Sequence, residues 1–414
     1  MPRIAALAAT LALCVISGSA RISGATSADL FDSSVLRRVD LYLHSSDWEK
    51  LKQNFQDNEY YPADLTWNGE TVRNTGVRSR GVASRSGTKP SLKVAFDHYA
   101  TDQRFLGLKS LVLDNLVQDA SGIHEVVSDW MYARMGIRAP RAAHVRLYVN
   151  GEYAGLYAMI EPVDKAMLAR VFGSIGDDTQ NDGYLYEFNK VGVWDFSYLG
   201  SDLSPYKAYF GAKTHESKTD EDLYRPIENI VRMTNQAPGS DITAELNNYL
   251  DLRGLVRYLA VQNFLAENDG FLGEFGINNF YLYRLEHGEQ HVFIPWDDDL
   301  TFKSATYDVF SGVQGNVLAS RIMENRDYLA LYLQTLQEAV DSADNRPIGA
   351  EIGALEEEIR RALGLIEGAM IEDTLKPWTD TDYTTGRDLA IQFAPQRVRY
   401  VGCEVARLTG RPVC

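Results

Sequence analysis

Glu267-Asn268-Asp269-Gly270, Asn278-Asn279-Phe280-Tyr281-Leu282-Tyr283 and Phe293-Ile294-Pro295-Trp296-Asp297-Asp298-Asp299 follow one another between residues 251 and 302. Asp251 is placed to cap a helix in which Leu255, Val256, Leu259 and Phe264 recur at helical spacing. Two strands are predicted after it, over 280–284 and 291–295. The segment therefore reads helix, loop, strand, turn, strand, loop, and its acids and amides fall in the loops.

An acid in a post-helix loop, an amide before a hairpin and an acid after it form an order that phosphoryl transfer uses. In protein kinases the first acid takes the acceptor hydroxyl proton, and the amide and second acid hold Mg²⁺ against the triphosphate. Hard Mg²⁺ prefers oxygen ligands, and the developing phosphoryl charge needs neutralising. Acids and Asn also populate turns for local reasons, so spacing alone does not decide the matter. A Ca²⁺ loop starting at Asp297 fails, because position six is Phe302 rather than Gly and position twelve is Asp308 rather than Glu. A glycan-processing pair of Asp269 and Asp297 would need carboxyls about 5 to 9.5 Å apart around a sugar-sized groove. No Walker A, HExxH or GxSxG motif supports another enzyme class.

Outward from this block, the N-terminal side is β-rich. Strands are predicted over 36–43, 62–67, 71–80, 91–96, 143–149 and 155–160, with Asn150-Gly151 as the hairpin turn between the last two. Ser46-Asp47-Trp48-Glu49 reads as a capping box opening a helix to about Phe55. A second helix is predicted from Ser121 to Met135, with Ile123, Val126, Val127, Trp130 and Met131 on one face and Gly136 as its stop. Beyond about residue 165 the composition shifts to helix and polar loop, with late helices around Leu355, Ile359, Leu363 and Ile366 and from Arg397 to Leu408.

The 414 residues are 45% apolar and 24% charged, enough to bury a core and too ordered in composition for disorder or coiled coil. With 57 Asp and Glu against 41 Lys and Arg, the net charge of −16 argues against nucleic acid as a partner. Arg3 followed by the apolar run Ile4 to Ile16 and then Ser17-Gly18-Ser19-Ala20 has the layout of a secretory signal peptide cleaved near Ala20. The run is short for a membrane span, and no transmembrane span is expected in the mature chain. Export leaves Cys403 and Cys414, an even pair that suggests a disulfide clamping the C-terminal tail. The seven histidines are scattered without metal-ligand spacing.

Several motifs in order resemble the CotH kinase family: Val77-Arg78-Ser79-Arg80-Gly81, Lys89-Pro90-Ser91-Leu92-Lys93-Val94-Ala95-Phe96, Asn150-Gly151-Glu152-Tyr153-Ala154-Gly155-Leu156-Tyr157, Ile160-Glu161-Pro162-Val163-Asp164-Lys165 and the block from Asn279 to Asp299. The resemblance spans roughly residues 36–405. It implies an α+β, atypical protein-kinase-like fold of two lobes, a β-rich N-terminal lobe and a mainly helical C-terminal lobe. The expected organisation is a signal peptide over 1–20, a linker over 21–35, lobes over 36–162 and 163–405, and a tail over 406–414.

The resemblance also implies ATP-dependent phosphorylation of Ser or Thr on a partner protein outside the cytosol, at the cell surface, in the periplasm or in a spore coat. Carried over residue by residue, Asp269 would be the base, and Asn279 and Asp297 would hold Mg²⁺ or Mn²⁺, with Asp299 as a further metal candidate. Lys93 would meet the nucleotide phosphates and Glu125 would hold Lys93. Arg80 and Gly81 would form the phosphate-covering turn, and Ile160, Glu161 and Pro162 the hinge beside adenine. Lys89 competes with Lys93, and Asn278 with Asn279. Two features depart from the family: the turn Arg80-Gly81-Val82-Ala83-Ser84-Arg85-Ser86-Gly87, and a long link from Asp269 to Asn279. They keep open a competing reading, a non-catalytic coat or adhesion protein, or pseudokinase, on the same fold.

Overall fold

Alternating apolar residues on the N-terminal strands give them one face to hide, and they hide it by closing on themselves. The computed structural model describes residues 24–175, 178–179, 181–236, 241–346, 349 and 351–412. The expected signal peptide lies outside the described residues, as does Cys414; Cys403 is disulfide-bonded. Seven strands form a closed barrel: β1 (Arg37–Leu43), β2 (Tyr61–Trp67), β3 (Glu70–Ser79), β4 (Leu92–Ala95), β5 (Ser110–Asp114), β6 (Ala142–Val149) and β7 (Glu152–Ile160), in the order β1-β2-β3-β4-β5-β7-β6. Neighbours are antiparallel except at the closing seam, where β1 runs parallel to β6 with Val39 opposite Leu147. Leu41, Leu65, Val77, Val94, Leu113 and Met159 fill the interior.

β5 was not expected from sequence. Its five residues are all buried, so it shows no alternation to read, and without it β4 and β7 would have no common partner. Within the segment read as a linker lies α1 (Ser27–Leu30), whose Leu30 is buried with the barrel core. α2 (Ser45–Gln53) is capped by His44, whose Nδ1 accepts from the Ser46 N–H, rather than by Ser46. Asn150 (φ 53°) and Gly151 (φ 86°) make the expected hairpin turn.

α3 (His124–Arg134), between β5 and β6, lies against β6. The second lobe is mainly helical: α4 (Lys165–Phe172) follows the barrel, ahead of the short pair β8 (Ser174–Ile175) and β9 (Asp178–Thr179). A four-stranded sheet comes next, in the order β11-β10-β12-β13, from β10 (Tyr184–Phe188), β11 (Phe210–Ala212), β12 (Phe280–Arg284) and β13 (His291–Pro295). The remaining helices are α5 (Ser204–Tyr209), α6 (Asp220–Thr234), α7 (Thr243–Leu246), α8 (Leu252–Phe264), α9 (Val317–Met323), α10 (Arg326–Asp344), α11 (Ala354–Glu372) and α12 (Asp380–Leu408). α12 begins well before the expected Arg397. Buried Arg397 donates to the carbonyls of Asn263 and Phe264 at the end of α8 and of Ala305 and Tyr307, fixing the two loops that flank the hairpin. The architecture is α+β, a β-barrel lobe on a mainly helical lobe.

One buried ion pair ties the lobes together. Lys89 Nζ lies 2.7 Å from Asp373 Oδ2, and both side chains are sealed from solvent. Asp373, just past α11, also accepts the N–H groups of Leu156 and Leu375, both at 3.0 Å. Gly155, at φ 122°, makes room: a methyl there would meet Asp373 Oδ2 at 2.5 Å. Lys89→Met is expected to lower unfolding free energy by about 3–5 kcal/mol, because it strands a buried carboxylate. Lys89→Met with Asp373→Asn should recover much of that loss; denaturant melts of the single and double variants test the coupling.

Candidate active site

The junction of the barrel with the β10–β13 sheet is a cleft made of two adjoining cavities. The inner one, about 590 Å³, is lined by Arg80, Gly81, Ser84 and Arg85 from the barrel side and by Glu187, Lys190, Asp269, Asn279, Asp297 and Asp299 from the other. The second, about 450 Å³, shares Arg78, Arg80, Glu187 and Trp296 with it and extends past Lys93, Val112, Pro162, Val163 and Tyr281.

α8 ends at Phe264, and the chain turns through Ala266 (φ 55°) to deliver Asp269 to the cleft. Asp269 Oδ1 faces Lys190 Nζ at 3.0 Å, while Oδ2 accepts from Asn278 Nδ2 at 2.9 Å and from Asn279 Nδ2 at 3.4 Å. Its own N–H donates to buried Glu267 at 2.6 Å. Asn279 precedes β12 with φ 53°, and its amide also donates to the Asp297 carbonyl at 3.4 Å. Asp297 leaves β13 with φ 63°. Asp269, Asn279 and Asp297 therefore converge, as their order predicts.

Asp297 and Asp299 are the chemically informative pair. Among the described residues neither side chain has a hydrogen-bond donor or ion-pair partner, yet both line the inner cavity. Burial pushes Asp297 up to about 6, with Asp114, Asp269 and Glu187 adding to the rise and Arg80 opposing it. Burial, and then Asp297, push Asp299 well above the usual carboxylate range. Two hard-oxygen groups facing a cavity with no cation paired directly to them suit a divalent metal. Among the described residues no three His, Cys, Asp or Glu side chains form a metal cage by themselves. The donors available here, two carboxylates and the Asn279 amide, suit an ion that keeps waters and takes phosphate oxygens, as Mg²⁺ does.

The facing wall is cationic. Arg78 on β3 pairs directly with Lys93 on β4 in the strand register, so both side chains stand on one face. Burial, then Arg78 and Lys213, push the Lys93 ammonium down. Like charges opposite one another are destabilising unless an anion sits between them. Arg80 stacks over Trp296 at 5.5 Å. Gly81 takes φ 97°, and a side chain there would collide with Ser84 Oγ at 2.5 Å.

Two expectations need correction. Glu125 does not hold Lys93: its Oε2 accepts the Asp298 N–H at 2.7 Å, and the charges that act on it are Asp129 and the three acids 297–299. Its helix faces the metal-side loop, not β4. Tyr132 reaches Asp298 Oδ1 at 3.0 Å, Ser128 meets Thr301 at 3.0 Å and His124 meets the Asp299 carbonyl at 2.9 Å, so α3 clamps that loop. The hinge is also narrower than expected. Ile160 is paired on both sides in the barrel, and the Glu161 N–H is taken by the Arg141 carbonyl, its carboxylate by Arg141 and Arg170. Of the three hinge candidates, Pro162 alone lines the cleft. Between the rival lysines, Lys93 lines the cleft and Lys89 is spent on the lobe tie. Asn278 serves Asp269.

Glu187, Lys190, Lys213 and Arg85 line the cleft without having been expected. Glu187 is ion-paired with Lys213, and Arg85 is pinned by the carbonyls of Gly81 (2.7 Å) and Phe55 (2.9 Å). The run Tyr184-Leu185-Tyr186-Glu187-Phe188 after Gly183 is a strand signal, and the pairing of that strand with β12 sets Glu187 opposite Tyr281.

Among curated proteins the chain is similar to the inner spore coat protein H of Bacillus subtilis (strain 168), 25% identical over 75% of this chain and 83% of that protein. It is also similar to the invasins CotH2 and CotH3 of Rhizopus delemar, each 24% identical, over 55% and 76% of this chain and 40% and 54% of theirs. Solved structures that overlap it in part are the Helicobacter pylori proinflammatory kinase CtkA and the HipA–HipB–operator DNA complex of Shewanella oneidensis MR-1. The first has 8% identity, 77% and 95% coverage and TM-score 0.33, the second 12%, 90% and 74%, and 0.38. The model of the CotH kinase protein family matches residues 77–401, which contain every cleft-lining residue named above, and the chain belongs to that family.

Proposed function

We propose that this protein is an ATP-dependent protein kinase acting on Ser or Thr outside the cytosol, with Mg²⁺ or Mn²⁺ in the cleft. The observation that carries the proposal is the opposition, across the cleft, of two carboxylates without an ion-pair partner, Asp297 and Asp299 in the inner cavity, and a cationic wall of Arg78 and Arg80, shared by both cavities, with Lys93 in the adjoining one. A nucleotide triphosphate with its metal supplies the charges that both walls lack. Asp297, Asp299 and the Asn279 amide would hold the ion, which when bound neutralises charge on the transferring phosphoryl group.

The residues of the chain do the rest. Arg80 and Lys93 bind and orient phosphate oxygens, and Gly81 lets the turn approach them closely. Asp269 accepts the acceptor's hydroxyl proton at Oδ1, which has a lone pair left beyond its Lys190 contact, whereas Oδ2 is taken by Asn278 and Asn279. Lys190, Asn278 and Asn279 fix the direction of that carboxylate. Of the hinge, Pro162 stands beside the adenine. The lobes are assigned to 36–162 and 163–405, and the destination, after removal of residues 1–20, to the extracytoplasmic space or a coat. Similarity to a spore coat protein supports that address, and no helix among the described residues is long and apolar enough to cross a membrane.

A second reading, nucleotide binding without transfer, is favoured by one feature: both Asp269 oxygens already have partners. Intact mass after incubation with ATP and Mg²⁺ or Mn²⁺ separates the two. Added phosphate on a protein acceptor, absent with Asp269→Asn, is the expected result. Nucleotide-dependent thermal stabilisation with no phosphate on any acceptor would establish the second reading instead.

A further inference from the structure

The turn that departs from the family pattern, Arg80-Gly81-Val82-Ala83-Ser84-Arg85-Ser86-Gly87, is held in shape by side chains that do not themselves face a nucleotide. Arg85 spreads its guanidinium over four acceptors: Nε donates to the Gly81 carbonyl at 2.7 Å, Nη1 to the carbonyls of Phe55 at 2.9 Å and Asp57 at 3.1 Å, and Nη2 to Asn58 Oδ1 at 2.6 Å. Asn115, fully buried just past β5, donates its amide to the carbonyls of Ser84 at 2.9 Å and Lys89 at 2.7 Å. Ser86 Oγ accepts the N–H groups of Thr88 and Lys89, both at 3.2 Å, and closes the far end of the turn.

These contacts spend carbonyls of the turn and leave its N–H groups. Among the described residues the N–H groups of Gly81, Val82, Ala83 and Ser84 and the Ser84 hydroxyl have no hydrogen-bond partner, yet all four residues line the inner cavity. In a trans peptide the N–H points opposite to the preceding C=O, so turning the Gly81 carbonyl onto Arg85 sends the Val82 N–H the other way. Gly81, at φ 97°, supplies the left-handed step. Successive unpaired N–H groups in such a turn form a concavity that binds anions. The charge around it agrees. Every acceptor that Arg85 meets is neutral, and burial, then Arg78 and Arg80, work against its charge, with Asp57 opposing them. Arg78 shares Asn58 Oδ1 with Arg85, at 2.9 Å. An anion in the turn relieves that crowding of like charges.

Resting on the nucleotide reading of the cleft, we infer that the phosphate chain is seated by the backbone N–H groups of Val82 to Ser84 together with the Ser84 hydroxyl, on a turn preset by Arg85 and Asn115. Both are positioning residues: they touch the turn, and the turn touches the phosphates. A seat made of backbone does not need the side chains that the family pattern places there, which accounts for a turn that departs from that pattern while keeping Gly81.

Calorimetric titration of the intact protein with ATP and with AMP, each with Mg²⁺, tests the assignment, because the two share base and sugar and only ATP carries phosphates beyond the first. Arg85→Lys keeps the charge but cannot span the four acceptors. Asn115→Ala removes the buried amide. Each variant is expected to bind ATP about tenfold or more weaker and AMP less than about twofold weaker than wild type. General damage to the fold would weaken both ligands together. Arg85 is half-buried, so its variant is informative even where Asn115→Ala loses stability. Equal weakening of ATP and AMP in either folded variant, or ATP binding unchanged in Arg85→Lys, overturns the inference and leaves the nucleotide reading intact. If wild type binds neither ATP nor AMP with Mg²⁺ or Mn²⁺, the kinase reading itself falls, and the inference with it.

Discussion

Asp297→Ala is expected to lower phosphoryl transfer by about a thousandfold or more and, in the same variant, to raise the melting temperature of the metal-free protein near pH 8. The first effect follows from its place in the cleft: removing a ligand that anchors the metal on the transferring group costs at least as much as removing an oxyanion-hole donor, roughly 10² to 10³ in rate. The second follows from its surroundings. Burial works against the Asp297 carboxylate, Asp114, Asp269 and Glu187 repel it, and among its main influences only Arg80 favours the charge. Alanine removes a charge that the fold holds at a cost of a few kcal/mol. Opposite signs for activity and stability identify a group kept for chemistry. Turnover and thermal melts on one preparation check both, and a fall in melting temperature would instead make Asp297 a structural carboxylate.

The parts of this arrangement that sequence makes legible are those set by local rules. β12 and β13 fall on 280–284 and 291–295 as expected, because each is a short apolar run bounded by polar turn residues. Asp269, Asn279 and Asp297 come together because a hairpin brings its two ends side by side whatever else packs on it. The rest depends on partners far away in the chain. Glu125 in a first helical turn looks able to reach Lys93 or nothing; its actual contact is the backbone of Asp298, which depends on how the lobes meet. Lys89 and Lys93 sit on neighbouring segments with similar apolar flanks, and only closure of the barrel sends one to Asp373 and the other to the cleft. That closure joins β1 to β6 across a hundred residues, and no local pattern announces it.

Metal and pH should act on the cleft as linked variables. Asp297 and Asp298 are raised from the ordinary value of 3.8 to about 6 and about 7, burial being the main cause for both. Between pH 4 and 7 the folded chain therefore binds more protons at these groups than the unfolded chain. Their effect on stability is neutral near pH 4 and increasingly unfavourable as pH rises, complete above about 7, and on the order of 3 kcal/mol for Asp297 and 4 for Asp298. Buried His144 and His291, pushed down to about 4 by burial, act in the opposite direction: their stabilisation is present above 6.5 and lost as pH falls through 4. Total stability thus mixes two slopes, but added Mg²⁺ or Mn²⁺ isolates the first, because the ion competes with protons for Asp297 and not for the histidines. The rise in melting temperature on adding metal should be small at pH 5, grow through pH 6 to 7 and level off by pH 8. Asp297→Ala should flatten that curve, whereas His291→Gln should change the acid limb of the metal-free protein and leave the metal-induced rise as it was. A metal-induced rise that does not vary between pH 5 and 8, or that survives Asp297→Ala in full, would mean the ion is held elsewhere.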